Sequence, residues 1–230
     1  MEVIPWYAEE VREFVVGVDL GQAHDPTAIA VIEHVRVEVQ HLYRARVDGQ
    51  TLAQMHQELR AHRPQYNVRH LERLPLGTHY PAQVAHIADM VRRAPLKDAR
   101  VFYDFTGVGR PVGDLLHAAR IRHLNRVNLT GGKESKAEGD RHAVSKVDLV
   151  SRLQASLHTG ELAIEESLSD AATLARELAD YRLNFTQTGN AQFNARSGAH
   201  DDLLIATGLA LYGAQRSRPA AQALKLGFAC

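Results

Sequence analysis

Phe14-Val15-Val16-Gly17-Val18-Asp19-Leu20 is the stretch from which the rest of the chain can be read. It is apolar and β-branched, and it ends on an acid with Gly21 just beyond. A run of this kind reads as a buried strand that delivers one carboxylate at its end. Residues 21–26 form a polar turn, 27–33 (TAIAVIE) a second strand, and 35–47 alternate as a third. The short spacing of the first two predicts an antiparallel meander. Upstream, residues 1–13 read as an N-terminal arm or lead-in helix. They carry Glu2, Glu9, Glu10 and Glu13 and no apolar signal core.

Downstream the pattern changes to alternating helices and strands. Residues 52–61 (LAQMHQELRA) have helical period and stop at Pro64, and 68–76 read as a strand. Pro81 opens a helix to Arg93 with Val84, Ile87, Ala88 and Val91 at helical spacing. Residues 100–105 (RVFYDF) form another buried strand ending in an acid. The turn 106–111 leads into a helix over 112–119, and 122–129 is a strand. Residues 130–140 (TGGKESKAEGD) are Gly-, Ser- and Lys-rich and read as a loop. A helix over 144–158 places Val147, Val150, Leu153 and Leu157 on one face and ends at Gly160. A short strand (162–164), a helix (170–181), a hairpin (183–195) and a last helix (200–212) follow. The expected architecture is α/β: a mixed central sheet, antiparallel at first and then parallel, flanked by helices. The expected organisation is an arm (1–13), one domain (14–214) and an Arg-, Pro- and Ala-rich tail (215–230).

With 230 residues, one substantial core is the first expectation. The 27 basic and 27 acidic side chains cancel. That excludes coating nucleic acid, or lying on an anionic membrane, through bulk positive charge; a polyanion site must be a local patch. Hydrophobic residues at 45% and charged residues at 23% exclude disorder over most of the chain. No run approaches the ~18 apolar residues of a membrane span. The single cysteine, Cys230, supports neither an internal disulfide nor a Cys-rich zinc site; it fits a reducing compartment and would also fit a secreted protein without disulfides. The 13 histidines show no HExxH spacing and mostly neighbour Arg in polar segments, so they read as surface residues.

Four acids stand at element ends. Asp19 ends the first strand, Asp104 ends a central strand, and Asp201 and Asp202 open the last helix. In a mixed sheet, strand ends gather at one edge and a helix N-terminus can pack over them. Carboxylates brought together there repel unless a cation joins them, and hard oxygen ligands suit Mg²⁺ or Mn²⁺. Taken singly, each acid has a plainer reading. Asp19 serves a turn, Asp104 caps a helix, and Asp201 or Asp202 is an N-cap or an acid favoured by the helix dipole.

Val16-Gly17-Val18-Asp19-Leu20-Gly21 followed by Asp25-Pro26-Thr27-Ala28-Ile29-Ala30 resembles the opening hairpin of the nuclease domain of phage large terminase subunits, a branch of the RNase H-like superfamily. Tyr103-Asp104-Phe105-Thr106-Gly107-Val108-Gly109 is similar to that family's central strand and Gly-rich turn. His200-Asp201-Asp202-Leu203-Leu204-Ile205-Ala206 is similar to its terminal H-x-D helix start. The three occur in the family's order across residues 14–212. The resemblance implies an endonuclease that cuts double-stranded DNA with two divalent ions, Mg²⁺ or Mn²⁺. Asp19, Asp104 and Asp202 would be the catalytic metal ligands, Asp201 would be the rival of Asp202, and His200 would bind a metal or orient a ligand. It also implies a phage or prophage protein in the cytoplasm of a bacterial host, with a packaging ATPase, a small terminase subunit or a portal as partners.

Lys133, Lys136, Arg141 and Lys146, together with Arg122, are the expected contacts to DNA phosphates. The hairpin before the last acids would border the DNA groove. The chain departs from a full terminase in having no G-x-x-x-x-G-K-[ST]; Gly131-Gly132-Lys133-Glu134 has the wrong spacing, and no ATPase fits ahead of Phe14. Three rival readings share the superfold: a junction resolvase, an actin-like or sugar-kinase-type ATPase, and a non-catalytic DNA-packaging module. An ATPase of that type would need a second such domain, and intact acids at all three positions argue against a dead site.

Overall fold

A computed structural model of the chain describes residues 6–21, 25–41, 49, 63–107, 109–131, 135–185, 191–194 and 200–216. In chain order the elements among them are β1 (Trp6–Asp19), β2 (Ala28–His41), β3 (Gln65–Arg73), α1 (Tyr80–Met90), β4 (Arg100–Asp104), α2 (Gly109–Ala118), β5 (Leu124–Thr130), β6 (Lys136–Glu138), β7 (Arg141–Ser145), α3 (Lys146–His158), β8 (Leu162–Ile164), α4 (Ala171–Asp180), β9 (Arg182–Phe185), β10 (Ala191–Asn194) and α5 (Asp202–Gln215). Eight strands form one sheet in the order β6-β7-β5-β4-β1-β2-β3-β8, and β9 and β10 form a separate hairpin. The β1-β2-β3 meander is antiparallel, whereas β1-β4-β5-β7 run parallel, as the expected mixed sheet requires.

The alternation of β1 decides which helices cover which face. Val15 packs with Phe102, Ala28, Ala30 and Ile32 beneath α5, α3 and α4. Val16 and Val18 point the other way, into a core with Val101, Tyr103, Val84, Ile87, Val112 and Leu116 beneath α1 and α2. Every residue of α5 from Asp202 to Ala214 is buried, so this helix is apolar all round. Its backbone lies directly on β1. A Cβ at Gly17 would stand 1.9 Å from the Ala206 carbonyl oxygen, so no larger residue fits without lifting the helix. No helix of the described residues is long and apolar enough to cross a membrane.

Three expectations are corrected. Residues 6–13 are not an arm or helix but the first part of β1, paired throughout with β2. Their glutamates hide the strand pattern, yet Arg36 donates to Glu13 at 2.8 Å and Arg12 to Glu33 at 2.8 Å, and such cross-strand pairs stabilise a polar ribbon. Residues 35–41 continue β2 rather than starting a third strand. Residues 141–145 are strand β7, so α3 starts at Lys146; Val144 is the buried end of that strand, not the first turn of the helix. The expected helix at 52–61 lies outside the described residues.

Candidate active site

β1 and β4 run parallel with Val18 opposite Tyr103, so the next residues, Asp19 and Asp104, emerge together at one sheet edge. Both share the face of Val15 and Phe102, beneath α5. Ala28 stands opposite Asp19, and Arg73 opposite Ala28, which brings Arg73 to the same edge. The start of α5 overhangs it with Asp201 and Asp202.

The edge is crowded with acids. Asp19 is pushed well above the usual carboxylate range by burial and then by Asp104, Asp202 and Asp201, with Lys146 opposing. Asp104 is raised by burial, although hydrogen bonds from Thr106 and the charge of Lys146 pull it back. Asp202 is pushed up to about 6 by burial against the pull of Arg73 and His200, with Asp25 and Asp201 adding to the rise. Such shifts mean that burial and mutual repulsion outweigh the positive charge that the described residues bring to the carboxylates.

Asp201 occupies the N-cap position of α5 but makes no side-chain cap hydrogen bond. Its Oδ2 instead accepts from Lys146 Nζ at 3.1 Å. The helix is capped from outside: Leu204 N–H donates to Glu177 Oε2 of α4 at 2.8 Å. Glu177 also accepts from Arg73 Nη2, and burial pushes its carboxyl up to about 7. Asp104 Oδ1 accepts from the Thr106 N–H at 2.7 Å and from its hydroxyl at 2.5 Å. The same hydroxyl accepts from Leu129 N–H at 2.7 Å.

Asp25, His200 and Asp202 offer ligand atoms within 4.8 Å of one another. His200 Nδ1 is 3.1 Å from Asp25 Oδ1 and 3.7 Å from Asp202 Oδ2. Asp202 Oδ2 is buried and has no hydrogen bond among the described residues. An orphaned buried oxygen amid repelling carboxylates fits a hard divalent cation. The turn that presents Asp25 is pinned at both ends: Gly21 N–H donates to Thr27 Oγ1 at 3.0 Å, and Gln83 Nε2 donates to the Gly21 carbonyl at 2.8 Å.

The edge thus unites Asp19, Asp104, Asp201, Asp202 and His200 from three distant segments, and Lys146 joins them. Lys136 is exposed on β6, opposite Ala143; Arg141, also exposed, stands at the far end of β7 from the edge. Lys133 lies outside the described residues. Arg122 is not brought here. It precedes β5 at the opposite sheet edge, 3.7 Å from Asp98, beside a cavity of about 230 Å³ lined with Arg92, Lys97 and Arg120. The basic string 120–123 follows α2 at the end remote from Asp104, because β4 and β5 are parallel.

Sequence reasoning missed Asp25, Thr106, Arg73 and Glu177 as site residues. Asp25 sits in the quoted turn, and Thr106 two residues past Asp104 is a hydroxyl where an Asx-type turn forms. Arg73 and Glu177 carry no local signal, because only the register of β3 and the docking of α4 bring them in.

No family model and no curated protein matches the chain. Solved structures do. The large terminase nuclease from thermophilic phage G20c is 21% identical over 87% of this chain and 82% of that chain, with a TM-score of 0.57. The same nuclease is known with bound magnesium and with bound cobalt. The large terminase nuclease domain of Thermus phage P74-26 is 20% identical over 86% of this chain and 78% of that chain, with a TM-score of 0.55. The strand order and pairing define an RNase H-like α/β fold. Within that class, the fold of this chain is the one seen in phage large terminase nuclease domains.

Proposed function

We propose that the chain is a divalent-metal-dependent endonuclease acting on double-stranded DNA, with Asp19, Asp104 and Asp202 as its catalytic metal ligands. The observation that carries this reading is the gathering of these three acids, from distant segments, at one edge of a sheet whose fold is shared with large terminase nucleases. When bound, two Mg²⁺ or Mn²⁺ ions would activate water as Lewis acids and relieve charge at the scissile phosphodiester.

The chain's own residues prepare that chemistry. Asp19 is fixed by a strand paired on both sides, with α5 lying on its backbone. Thr106 orients Asp104 through Oδ1. Asp202 is held at the start of a fully buried helix, and Asp25 and His200 extend its donor set. Asp201, engaged with Lys146, serves the electrostatics of the site rather than holding the ion in place of Asp202. Lys146 offsets acid repulsion at the edge, while Lys136 and Arg141, the latter at the far end of β7, would meet a DNA backbone away from the scissile phosphate, and Lys133 stays a contact expected from the sequence. The nuclease domain expected over residues 14–214 would take in all of β1 from Trp6 and α5 to Gln215, in a phage or prophage protein acting in host cytoplasm. A packaging ATPase, small terminase subunit or portal would hold the DNA for a chain of zero net charge.

Plasmid cleavage tests the reading. Wild type is expected to nick and then linearise supercoiled DNA with Mn²⁺ or Mg²⁺ and to stop in EDTA. Asp104→Ala is expected to lose ~10³-fold or more. Equal cleavage by the Ala variant, or cleavage indifferent to EDTA, would overturn it.

A further inference from the structure

Glu177 is a buried carboxylate that the proposed chemistry does not use. Both of its oxygens are engaged: Oε2 accepts from Leu204 N–H at 2.8 Å, and Oε1 accepts from Arg73 Nη2. The same Nη2 stands 3.4 Å from Asp202 Oδ2. That is ion-pair range, but longer than the ~2.7–2.9 Å of a charge-assisted hydrogen bond. Asp202 Oδ2 accepts no hydrogen bond, and Arg73 Nε, also buried, donates none among the described residues. The guanidinium is therefore drawn to one side by Glu177, while the nearest oxygen of Asp202 stays open.

We propose that Glu177 is a positioning residue that holds Arg73 off Asp202, keeping Oδ2 available to a divalent cation. The inference rests on the metal-dependent reading above. Arg73 in its present place offsets repulsion among the acids without taking a coordination position. Without the Glu177 charge, the ion-pair partner left to Arg73 among the described residues is Asp202, and a buried guanidinium–carboxylate pair would close. An incoming cation would then have to displace it. If the closed form holds about nine molecules in ten, apparent metal affinity falls about 10-fold.

Mn²⁺ titration calorimetry on wild type, Glu177→Gln, Arg73→Gln and the double variant tests this. Gln keeps an acceptor for Leu204 N–H and removes the charge. Glu177→Gln is expected to weaken Mn²⁺ binding about 10-fold, and adding Arg73→Gln to restore it to within about 3-fold of wild type. A purely structural role would make the double variant as weak as Glu177→Gln or weaker, and that result overturns the proposal. Should Glu177→Gln fail to fold, Arg73→Gln alone decides: affinity equal to or above wild type supports the proposal, and a drop overturns it. A crystal structure of metal-free Glu177→Gln gives a readout independent of metal. Arg73 is expected within hydrogen-bond distance of Asp202 Oδ2, and an unmoved Arg73 overturns the proposal. Wild type that binds no Mn²⁺ would sink the metal-dependent reading, leaving the metal-free structure to judge the position of Arg73.

Discussion

Glu33 on β2 and Asp202 on α5 are about equally buried, at 5% and 4% exposure, yet they titrate in opposite directions. Burial alone would raise Glu33, but hydrogen bonds from Arg69 and then Arg12 outweigh it and hold the carboxyl below its ordinary range. Each of its oxygens has an arginine, Arg12 Nη1 at 2.8 Å and Arg69 Nη2 at 2.7 Å. Neighbouring Glu13 takes Arg36 at 2.8 Å, with Arg100 at 3.7 Å. At the other end of these strands Asp19, Asp25, Asp104, Asp201, Asp202 and Glu177 share, among the described residues, little beyond Arg73, Lys146 and His200. An acid whose charge is matched inside the fold holds strands together. An acid left under-matched at a sheet edge stores a preference for an added cation.

The sharpest way to break the comparison is to neutralise one acid at each end. Asp19→Asn is expected to lower cleavage by ~10³-fold or more while raising the melting temperature of the metal-free protein, because it removes repulsion. Glu33→Gln is expected to do the reverse. It should cost ~1–2 kcal/mol, less than a fully buried pair because Arg12 and Arg69 are well exposed, and leave the cleavage rate per folded molecule unchanged. Thermal melting and plasmid cleavage on the same preparations check both. Parallel losses in the two variants would erase the distinction.

Acidity tests the same contrast by a different route. Asp202 has a carboxyl that titrates at 3.8 when unperturbed and about 6 when folded. The folded state therefore binds this proton more tightly. The stability it contributes is fully present below the unfolded value and is lost as pH rises through the folded one, ~3 kcal/mol over the full shift. Glu177, raised to about 7, acts in the same sense. Glu33, lowered from 4.5, acts in the opposite sense: its stabilisation is present above the unfolded value and is lost as pH falls through the folded one. Metal-free protein is thus expected to lose melting temperature as pH rises from about 4 to about 7, and saturating Mn²⁺ to flatten that slope. A metal-free melting temperature that climbs across that window would show the crowded acids to be matched after all.

The contrast also explains what could be read in the chain. Asp19, Asp104 and Asp202 were legible because each sits where an apolar run begins or ends, and such runs report burial directly. The β1-β2 hairpin and the parallel strands β4 and β5 were legible for the same reason, whereas the third strand of the meander lies at Gln65–Arg73 rather than at 35–47, and β7 was hidden behind a polar stretch. Trp6–Glu13 misled because it is polar: its backbone pairs with β2, Arg12 and Glu13 make ion pairs across to it, and neither leaves a periodic apolar signal. Arg122 misled because proximity in sequence to basic residues says nothing about which end of a parallel strand they occupy. Arg73 and Glu177 were invisible because their roles depend on each other across β3 and α4.

Thr106 gives the smallest expected effect and the finest test of the comparison. Glu33 commits both oxygens to arginines, whereas the described hydrogen bonds of Asp104 engage Oδ1 alone, from the Thr106 amide and hydroxyl. An acid at the structural end is saturated; an acid at the crowded edge is aimed and half committed. Thr106→Val removes the hydroxyl donor and strands the Leu129 N–H, yet keeps the backbone turn. Cleavage is expected to fall about 10-fold, in the range found when the orienting partner of a metal ligand is lost, and Thr106→Ser to stay near wild type. Cleavage kinetics over a Mn²⁺ series check this, with the loss expected at saturating metal because Asp104 is misaimed rather than absent. An equal loss in Thr106→Ser would assign the effect to packing of the turn instead of to its hydroxyl.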